Sequence, residues 1–272
     1  MQHQETARTE VSPPVSSNPS HDISKDYETP APLPITSFSA LKDRIRQHYE
    51  LASDYYYSLW YVSQHRRFVI QLSSRGEHIH HGYFLHPEDT KEVAQSRLID
   101  LLLQISELRA GSKVLDVGCG IGGTTRYLAK NLACTVTGIT ISGQQVNIAR
   151  ELTAKEVASE QKSVEIDDFA NIGDGKVRYL ELDAEEMGEF FTKEPERSSF
   201  DCVWISEAMS HLPDKELFFR NAEALLNPGG KLVVADWFKA EDLTEAQVSA
   251  DIKPIDGETI PKPESAALLT NV

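Results

Sequence analysis

One stretch decides the fold: Val114-Leu115-Asp116-Val117-Gly118-Cys119-Gly120-Ile121-Gly122-Gly123. A short apolar run here ends in a glycine-rich segment, and helical spacing of apolar residues resumes directly after it. This order predicts a strand, a tight turn and a helix. Glycines allow a ligand to approach the backbone closely, and the first N–H groups of the helix face whatever lies there. The stretch therefore predicts a binding site for a nucleotide-like molecule.

The rest of the chain alternates between strand and helix patterns. We expect strands at 113–117, 134–139, 176–181, 200–205 and 231–236, and helices at 123–131, 142–160 and 215–226. A turn at Asn227-Pro228-Gly229-Gly230 should lead into the fifth strand. Such alternation predicts an α/β fold with a doubly wound, mostly parallel sheet and ligand binding outside the carboxyl ends of its strands.

The domain organisation follows from composition. Residues 1–36 are rich in proline and polar residues and are expected to form a disordered leader. Helical patterns at 37–60 and 87–108 predict an N-terminal helical cap over residues 37–110. Residues 111–240 should form the ligand-binding core, and 241–272 an irregular or truncated tail.

Composition also limits the possible partners. The 272-residue chain has a formal net charge of −15, which disfavours nucleic acids and anionic membranes. It contains neither a membrane-spanning apolar run nor the apolar core of a signal peptide. The three cysteines, Cys119, Cys134 and Cys202, are expected to be reduced core residues. We therefore expect a cytoplasmic protein with a small-molecule substrate, and the sequence leaves its oligomeric state open.

The glycine pattern alone does not identify the cofactor. Gly118, Gly120 and Gly123 also satisfy the dinucleotide motif, so an NAD-dependent oxidoreductase is one alternative. However, a dinucleotide site usually has an acid at the end of its second strand, where this chain has Thr140. Asp116 lies two residues before the first glycine, where its carboxylate can face an amino group. These two details argue against a dinucleotide.

Five separated segments together resemble the class I S-adenosylmethionine-dependent methyltransferases. The similarity is greatest to the branch of the γ-tocopherol methyltransferases, cyclopropane fatty acid synthases and sterol methyltransferases, and it covers residues 44 to about 238. The segments that carry it are Gly76-Glu77-His78-Ile79-His80-His81-Gly82-Tyr83-Phe84, residues 114–123, Gly138-Ile139-Thr140-Ile141-Ser142-Gly143-Gln144-Gln145, Leu182-Asp183-Ala184-Glu185 and residues 203–215.

The resemblance implies a Rossmann-like fold with S-adenosylmethionine as cofactor. It places Thr140 and Gln145 at the ribose and Asp183 and Ala184 at the adenine. It also places the methionine end of the cofactor at Asp116 and the glycine loop (Gly118, Gly120 and Gly122), with Tyr83 near the sulfonium. The alternatives are an ordinary helix N-terminus for Thr140 and Gln145, and a solvated loop acid for Asp183.

Methyl transfer from a sulfonium requires an aligned nucleophile and, where the nucleophile carries a proton, a base. His211 and Glu207, after the fourth predicted strand, are the candidate catalytic residues. His211 is the candidate base or substrate-orienting residue; the alternative is a loop histidine that caps a helix. His78, His80 and His81 could suggest a metal, but adjacent histidines on an extended segment seldom converge on one ion, so we expect none. Tyr55, Tyr56 and Tyr57 are expected to line an apolar pocket or to pack in the core.

Two departures from the family pattern affect the expected activity. In the family, the counterpart of Trp60 is followed directly by Gly-Glu-His, whereas here fifteen residues, 61–75, intervene. Back-translation of this segment permits splice-like ends, so it is either a retained intron in the gene sequence or a genuine loop. After the fifth predicted strand, the tail does not supply the last two strands of a class I methyltransferase sheet. An exposed strand edge should then favour aggregation.

These observations predict a methyltransferase that acts on carbon, nitrogen or oxygen of a small apolar metabolite, for which secondary metabolism is plausible. The alternative function is a truncated, methyltransferase-like protein with weak or no catalysis and a binding or interaction role.

Overall fold

Five apolar segments of the sequence form the parallel strands of a single sheet. The structure, a computed structural model, describes residues 37–62, 78–159, 169–193, 199–238 and 241–249. The parallel strands are β1 (Lys113–Val117), β2 (Thr135–Thr140), β4 (Gly175–Glu181), β5 (Phe200–Ser206) and β6 (Leu226–Ala235). A sixth strand, β3 (Ala170–Ile172), pairs antiparallel with β4.

The strand order is β3-β4-β2-β1-β5-β6. The chain moves outward from β1 to β2 and β4, and then crosses back to β5 on the other side of β1. Val117, the last residue of β1, is in register with Ile139 of β2 and Ile205 of β5. The segments that follow these three strands therefore meet at one edge of the sheet, and a reversal of strand order of this kind opens a ligand crevice.

The helices of the described residues are α1 (Phe38–Val62), α2 (Lys91–Ser106), α3 (Gly123–Leu132), α4 (Gly143–Ser159), α5 (Met187–Thr192), α6 (Lys215–Leu225) and the short α7 (Glu245–Gln247). Helices α2, α3 and α4 pack on one face of the sheet, and α5 and α6 pack on the other. Alternate residues of each strand point to opposite faces. Val114 accordingly packs with Leu128 of α3, whereas Leu115 packs with Phe191 of α5 and Phe218 of α6. The expected doubly wound α/β fold is confirmed.

The helix boundaries follow local hydrogen bonding. The pattern predicts the second helix from residue 87, but α2 begins at Lys91 because the Thr90 side chain accepts a hydrogen bond from the Val93 N–H at 3.4 Å and so caps the helix. The preceding residues form a turn around Asp89. Its carboxylate accepts hydrogen bonds from the N–H groups of Leu85 and His86 at 2.8 and 2.9 Å and pairs with Arg97 of α2.

Two local predictions need correction. Strand β3 was not predicted, because its three residues are too few to show strand periodicity. The turn expected at residues 227–230 lies within the range of β6 rather than before it. The β5–β6 pairing jumps from Phe200↔Leu226 to Cys202↔Lys231, so this segment bulges out of the ladder, with Gly229 at φ +77°.

Several expectations lie partly or wholly outside the described residues. These are the disordered leader at 1–36, all but the first two residues of the 61–75 segment, the side chains of Tyr55, Tyr56 and Tyr57, and the tail beyond residue 249. Within the described part of the chain, β6 pairs with β5 and with no other strand. Cys119, Cys134 and Cys202 are buried free thiols, as expected. No helix in the described ranges combines the length and apolar character needed to cross a bilayer.

Gly122 and Gly111 form a matched pair that tests the geometry of the glycine loop. Both have left-handed backbones, at φ +78° and +80°. A Cβ at Gly122 would lie 2.6 Å from the Tyr179 ring, whereas a Cβ at Gly111 would meet nothing within 4 Å. We expect Gly111→Ala to lower the free energy of unfolding by about 1 kcal/mol through backbone strain alone. Gly122→Ala should lower it by about 1–3 kcal/mol more, because overpacking adds to the strain.

Urea unfolding of the two variants beside the parent protein measures this difference. Equal losses for Gly111→Ala and Gly122→Ala would show that Tyr179 does not restrict the loop.

Candidate active site

A cavity of about 370 Å³ lies at the carboxyl ends of β1, β2, β4 and β5. The elements around it are the glycine loop, the segments after β2, β4 and β5, the 78–81 segment and one face of α1. Most residues that the sequence analysis assigned to the site line this cavity: Asp116, Gly118, Gly120, Thr140, Gln145, Asp183, Ala184, Glu207 and His211.

The glycine loop turns sharply away from β1. The N–H groups of Gly118 and Cys119 both donate to the Ile139 carbonyl of β2, at 2.9 and 3.0 Å. Gly118 has φ +71°, and a Cβ there would overlap the Ala208 side chain. Only glycine fits this position without strain, because an L side chain disfavours positive φ and the neighbouring loop leaves no space. Gly122 is not part of the lining and instead caps α3.

Asp116 places a buried carboxylate at the cavity wall. Its side chain is almost fully enclosed and accepts one hydrogen bond, from Thr125 Oγ1 to Oδ2 at 2.6 Å. Burial raises the pKa of Asp116 to about 6, and the hydrogen bond from Thr125 partly opposes the rise. Since a buried carboxylate is stabilised by an opposite charge, this wall suits a cationic group such as an ammonium.

The end of β2 presents neutral hydrogen-bonding groups. Thr140 Oγ1 donates to Gln145 Oε1 at 2.6 Å, and both side chains are buried. This bond leaves the Gln145 amide nitrogen as a donor. Asp183, after β4, accepts from the N–H of Glu185 at 2.9 Å and pairs with Lys42 of α1 at 3.0 Å.

Helix α1 forms a wall that the sequence analysis did not assign. Lys42 pairs with Asp183 and Glu185, and the Glu50 carboxylate accepts a hydrogen bond from Ser142 Oγ at 2.8 Å. Burial lowers the pKa of Lys42, but its hydrogen bonds to Glu185 and Asp183 outweigh burial, so the net shift is upward. These pairings join residues 92 or more positions apart, which no local motif reveals.

His211 lies in a 3₁₀ turn, Met209–His211, after β5. Its Nε2 is 3.0 Å from the hydroxyl of Tyr49 on α1, and the two rings meet edge to face with centroids 5.7 Å apart. Burial lowers the pKa of His211, against an opposing effect of Asp236. His211 is therefore mainly neutral near pH 7. The helical pattern at residues 37–60 predicts α1, but it does not reveal the contact between Tyr49 and His211.

Glu207 contacts His81 rather than His211. The Glu207 carboxylate accepts from the His81 N–H at 2.9 Å, and its other oxygen lies 2.7 Å from His81 Nδ1. The Glu207 backbone is left-handed, with φ +53°, and its N–H donates to the Ala235 carbonyl of β6 at 2.6 Å. The turn after β5 is thereby tied to β6.

The remaining residues of the histidine segment differ in position. His78 is 7% exposed, and burial lowers its pKa to about 3, so it is neutral at the cavity wall. Burial also lowers the pKa of His80. Tyr83, expected near the sulfonium, is not among the cavity residues; its ring is exposed, and its backbone N–H donates to the Ala94 carbonyl at 2.8 Å. The geometry thus gives no support to a cofactor contact by Tyr83.

The mycolic acid cyclopropane synthetase family matches residues 38–264, which is most of the chain. The protein is a class I methyltransferase by fold and belongs to this family. Members of the family use S-adenosylmethionine, so the expected branch and cofactor are confirmed.

Individual relatives agree with this assignment. The chain is 38% identical over 174 residues to 2-methyl-6-phytyl-1,4-hydroquinone methyltransferase from Synechocystis, a match that covers 61% of the chain and 46% of that protein. It is 28% identical to the chloroplastic tocopherol O-methyltransferase of Arabidopsis thaliana, over 74% of the chain and 51% of the relative. The chain thus spans about half the length of these relatives.

Solved structures support the fold. The cyclopropane synthase MmaA2 from Mycobacterium tuberculosis superposes with a TM-score of 0.50 at 22% identity, over 71% of this chain and 55% of that one.

The ionisation of the Asp116 carboxyl group predicts how cofactor affinity depends on pH. If its carboxylate pairs with the ammonium of the methionine end, only the ionised form binds well. Because the pKa of Asp116 is about 6, affinity for S-adenosylhomocysteine should be full above that pH and fall about tenfold per pH unit below it. Thr125→Val removes the hydrogen bond that holds this pKa down, and should move the midpoint to higher pH.

Isothermal titration at a series of pH values measures both effects. Asp116→Asn is the control, and should bind weakly with no such pH dependence. An affinity for the parent protein that stays constant across the midpoint would contradict the pairing.

Proposed function

We propose that the protein transfers the methyl group of S-adenosylmethionine to a small, largely apolar metabolite at carbon, nitrogen or oxygen. The observation that carries this proposal is a cavity whose lining combines two groups of residues of different chemistry. One group is the glycine loop with Asp116, and the other is His211 with Tyr49. Relatives that methylate hydroquinones and tocopherols support an acceptor of similar chemistry.

The residues that would hold the cofactor fit its parts. The buried Asp116 suits the ammonium of the methionine end, Gln145 can donate to the ribose hydroxyls, and Asp183 can accept from the amino group of the adenine. The absence of an acid at the end of β2, where Thr140 stands, argues against a dinucleotide. The cofactor supplies the electrophilic methyl group, so the protein has to align the acceptor and exclude water.

Part of the cavity lining is apolar, as expected of a site for a small hydrophobic molecule. The apolar side chains in the lining include Ile45, Leu212, Pro213 and Trp237. Because Tyr49 engages Nε2 of His211, this pair is suited to orient a hydroxyl or amino group of the acceptor. We therefore assign His211 to substrate orientation. A role in secondary metabolism and a location in the cytoplasm remain part of the proposal.

Ligand titration combined with product analysis tests the proposal. We expect the protein to bind S-adenosylhomocysteine and not NAD. With S-adenosylmethionine and alkylated hydroquinones or phenols as acceptors, it should release S-adenosylhomocysteine and a product 14 mass units heavier, the difference of one methyl for one hydrogen. Binding of NAD in preference to S-adenosylhomocysteine would refute the proposal. Cofactor binding with no transfer to any acceptor would favour the alternative of a binding role.

The Tyr49–His211 pair gives a kinetic prediction. His211→Gln should lower kcat by about 100-fold through misalignment of the acceptor. Tyr49→Phe removes one hydrogen bond and should lower kcat about tenfold. Because the two side chains act as a unit, the double variant should be no slower than His211→Gln alone.

Steady-state kinetics of the three variants on an alkylated hydroquinone measure these effects. The control is His86→Asn, which changes an exposed histidine outside the cavity and should leave kcat unchanged. Fully additive losses in the double variant would show that Tyr49 and His211 act independently.

A further inference from the structure

The Glu207 carboxylate contacts His81 through both of its oxygens. Both carboxylate oxygens of Glu207 bind this one residue: one accepts the His81 N–H at 2.9 Å and the other lies 2.7 Å from Nδ1. Trp237 packs edge-on against the imidazole, with ring centroids 4.9 Å apart and planes at 87°. The imidazole, which belongs to the segment before α2, is thus held between Glu207 in the turn after β5 and Trp237 just after β6.

This geometry fixes the tautomer of the neutral imidazole. A carboxylate can only accept, so Nδ1 must carry the hydrogen and Nε2 must carry the lone pair. Nε2 of His81 has no hydrogen-bond partner among the residues that the structure describes, and His81 lines the cavity with 67% of its side chain exposed. His211 differs, because its Nε2 already meets the Tyr49 hydroxyl.

We propose that His81 is the proton acceptor of methyl transfer and that Glu207 is its positioning residue. This inference rests on the proposed function, and it divides the chemistry between two histidines. His211 orients the acceptor with Tyr49, and His81 removes the proton. Glu207, predicted as a catalytic residue, acts in this proposal through its contact with His81.

The acceptor atom forms a bond to the methyl carbon while the methyl–sulfur bond breaks, and the electron pair of that bond stays on sulfur. Nε2 of His81 takes the proton that the acceptor atom loses. The resulting imidazolium is stabilised by the Glu207 carboxylate at Nδ1, which is the part that a buried acid plays beside a catalytic histidine.

The electrostatic surroundings of His81 suit this role. Its titratable neighbours are Glu207 after β5 and His80 on its own segment. Burial lowers the pKa of His80, which therefore adds no positive charge beside an imidazolium. From the segment after β6 the neighbour is the uncharged Trp237. Glu207 is thus the one charged partner that the described contacts give His81.

Nitrogen NMR of the substrate-free protein tests the tautomer without any need for activity. In protein labelled with ¹⁵N-histidine, at a pH where the ring is neutral, we expect His81 to carry its hydrogen on Nδ1. Free imidazole side chains favour hydrogen on Nε2, and exposed His86 serves as the internal reference for that form. Glu207→Ala should return His81 to the Nε2–H form. An Nε2–H tautomer of His81 in the parent protein would overturn the proposal, whatever the variant does.

Kinetics on an alkylated hydroquinone test the proton transfer. His81→Ala should lower kcat by about 10²–10⁴-fold, leave the affinity for S-adenosylhomocysteine unchanged, and regain activity when imidazole is added. Glu207→Gln should lower kcat without any response to imidazole, because its base is present but poorly held. A loss in His81→Ala that imidazole does not restore would refute the proton-acceptor role.

The two measurements keep this inference apart from the proposed function. If the parent protein methylates no acceptor, the proposed function fails, and the tautomer still decides whether Glu207 positions His81.

Discussion

The site depends on the reversal of strand order at β1. This strand lies between β2 and β5, and the chain reaches these two neighbours in separate excursions. Past Val117, the backbone has to leave the sheet while the ends of β2 and β5 diverge around it. The hydrogen bonds of Gly118 and Cys119 to the Ile139 carbonyl hold this departure in place. Because every segment that lines the cavity follows a strand or lies across these ends, a different order of strands would not bring them together.

The acids of the cavity differ in their partners. Asp116 is a buried carboxylate with no cationic partner among the described contacts, and burial raises its pKa to about 6. Asp183 pairs with Lys42, and Glu207 lies against the imidazole of His81. In a chain with a net charge of −15, Asp116 is therefore the acid of this cavity that the described contacts leave without a basic partner.

The sequence predicts what is encoded locally and misses what depends on distant contacts. The apolar runs and glycines gave β1 and its loop, and the order of elements gave the parallel sheet. The residues after each strand were therefore found, since their place at the carboxyl edge follows from topology alone. Tyr83 lies outside the cavity lining because its backbone docks on α2 through the Ala94 carbonyl, a contact that no local pattern shows. The partner of Glu207 lies 126 positions away, so proximity in sequence suggested His211 instead.

Helix α1 contains no recognised motif, but its helical spacing determines which of its residues face the cavity. Lys42 and Tyr49 are seven residues apart, and two helical turns place them on the same face with an axial separation of about 10 Å. Lys42 contacts Asp183 after β4, and Tyr49 contacts His211 after β5. One face of one helix thus contacts two separate parts of the cavity wall. The position of α1 along its axis sets both contacts together, so a shift that improved one contact would disturb the other.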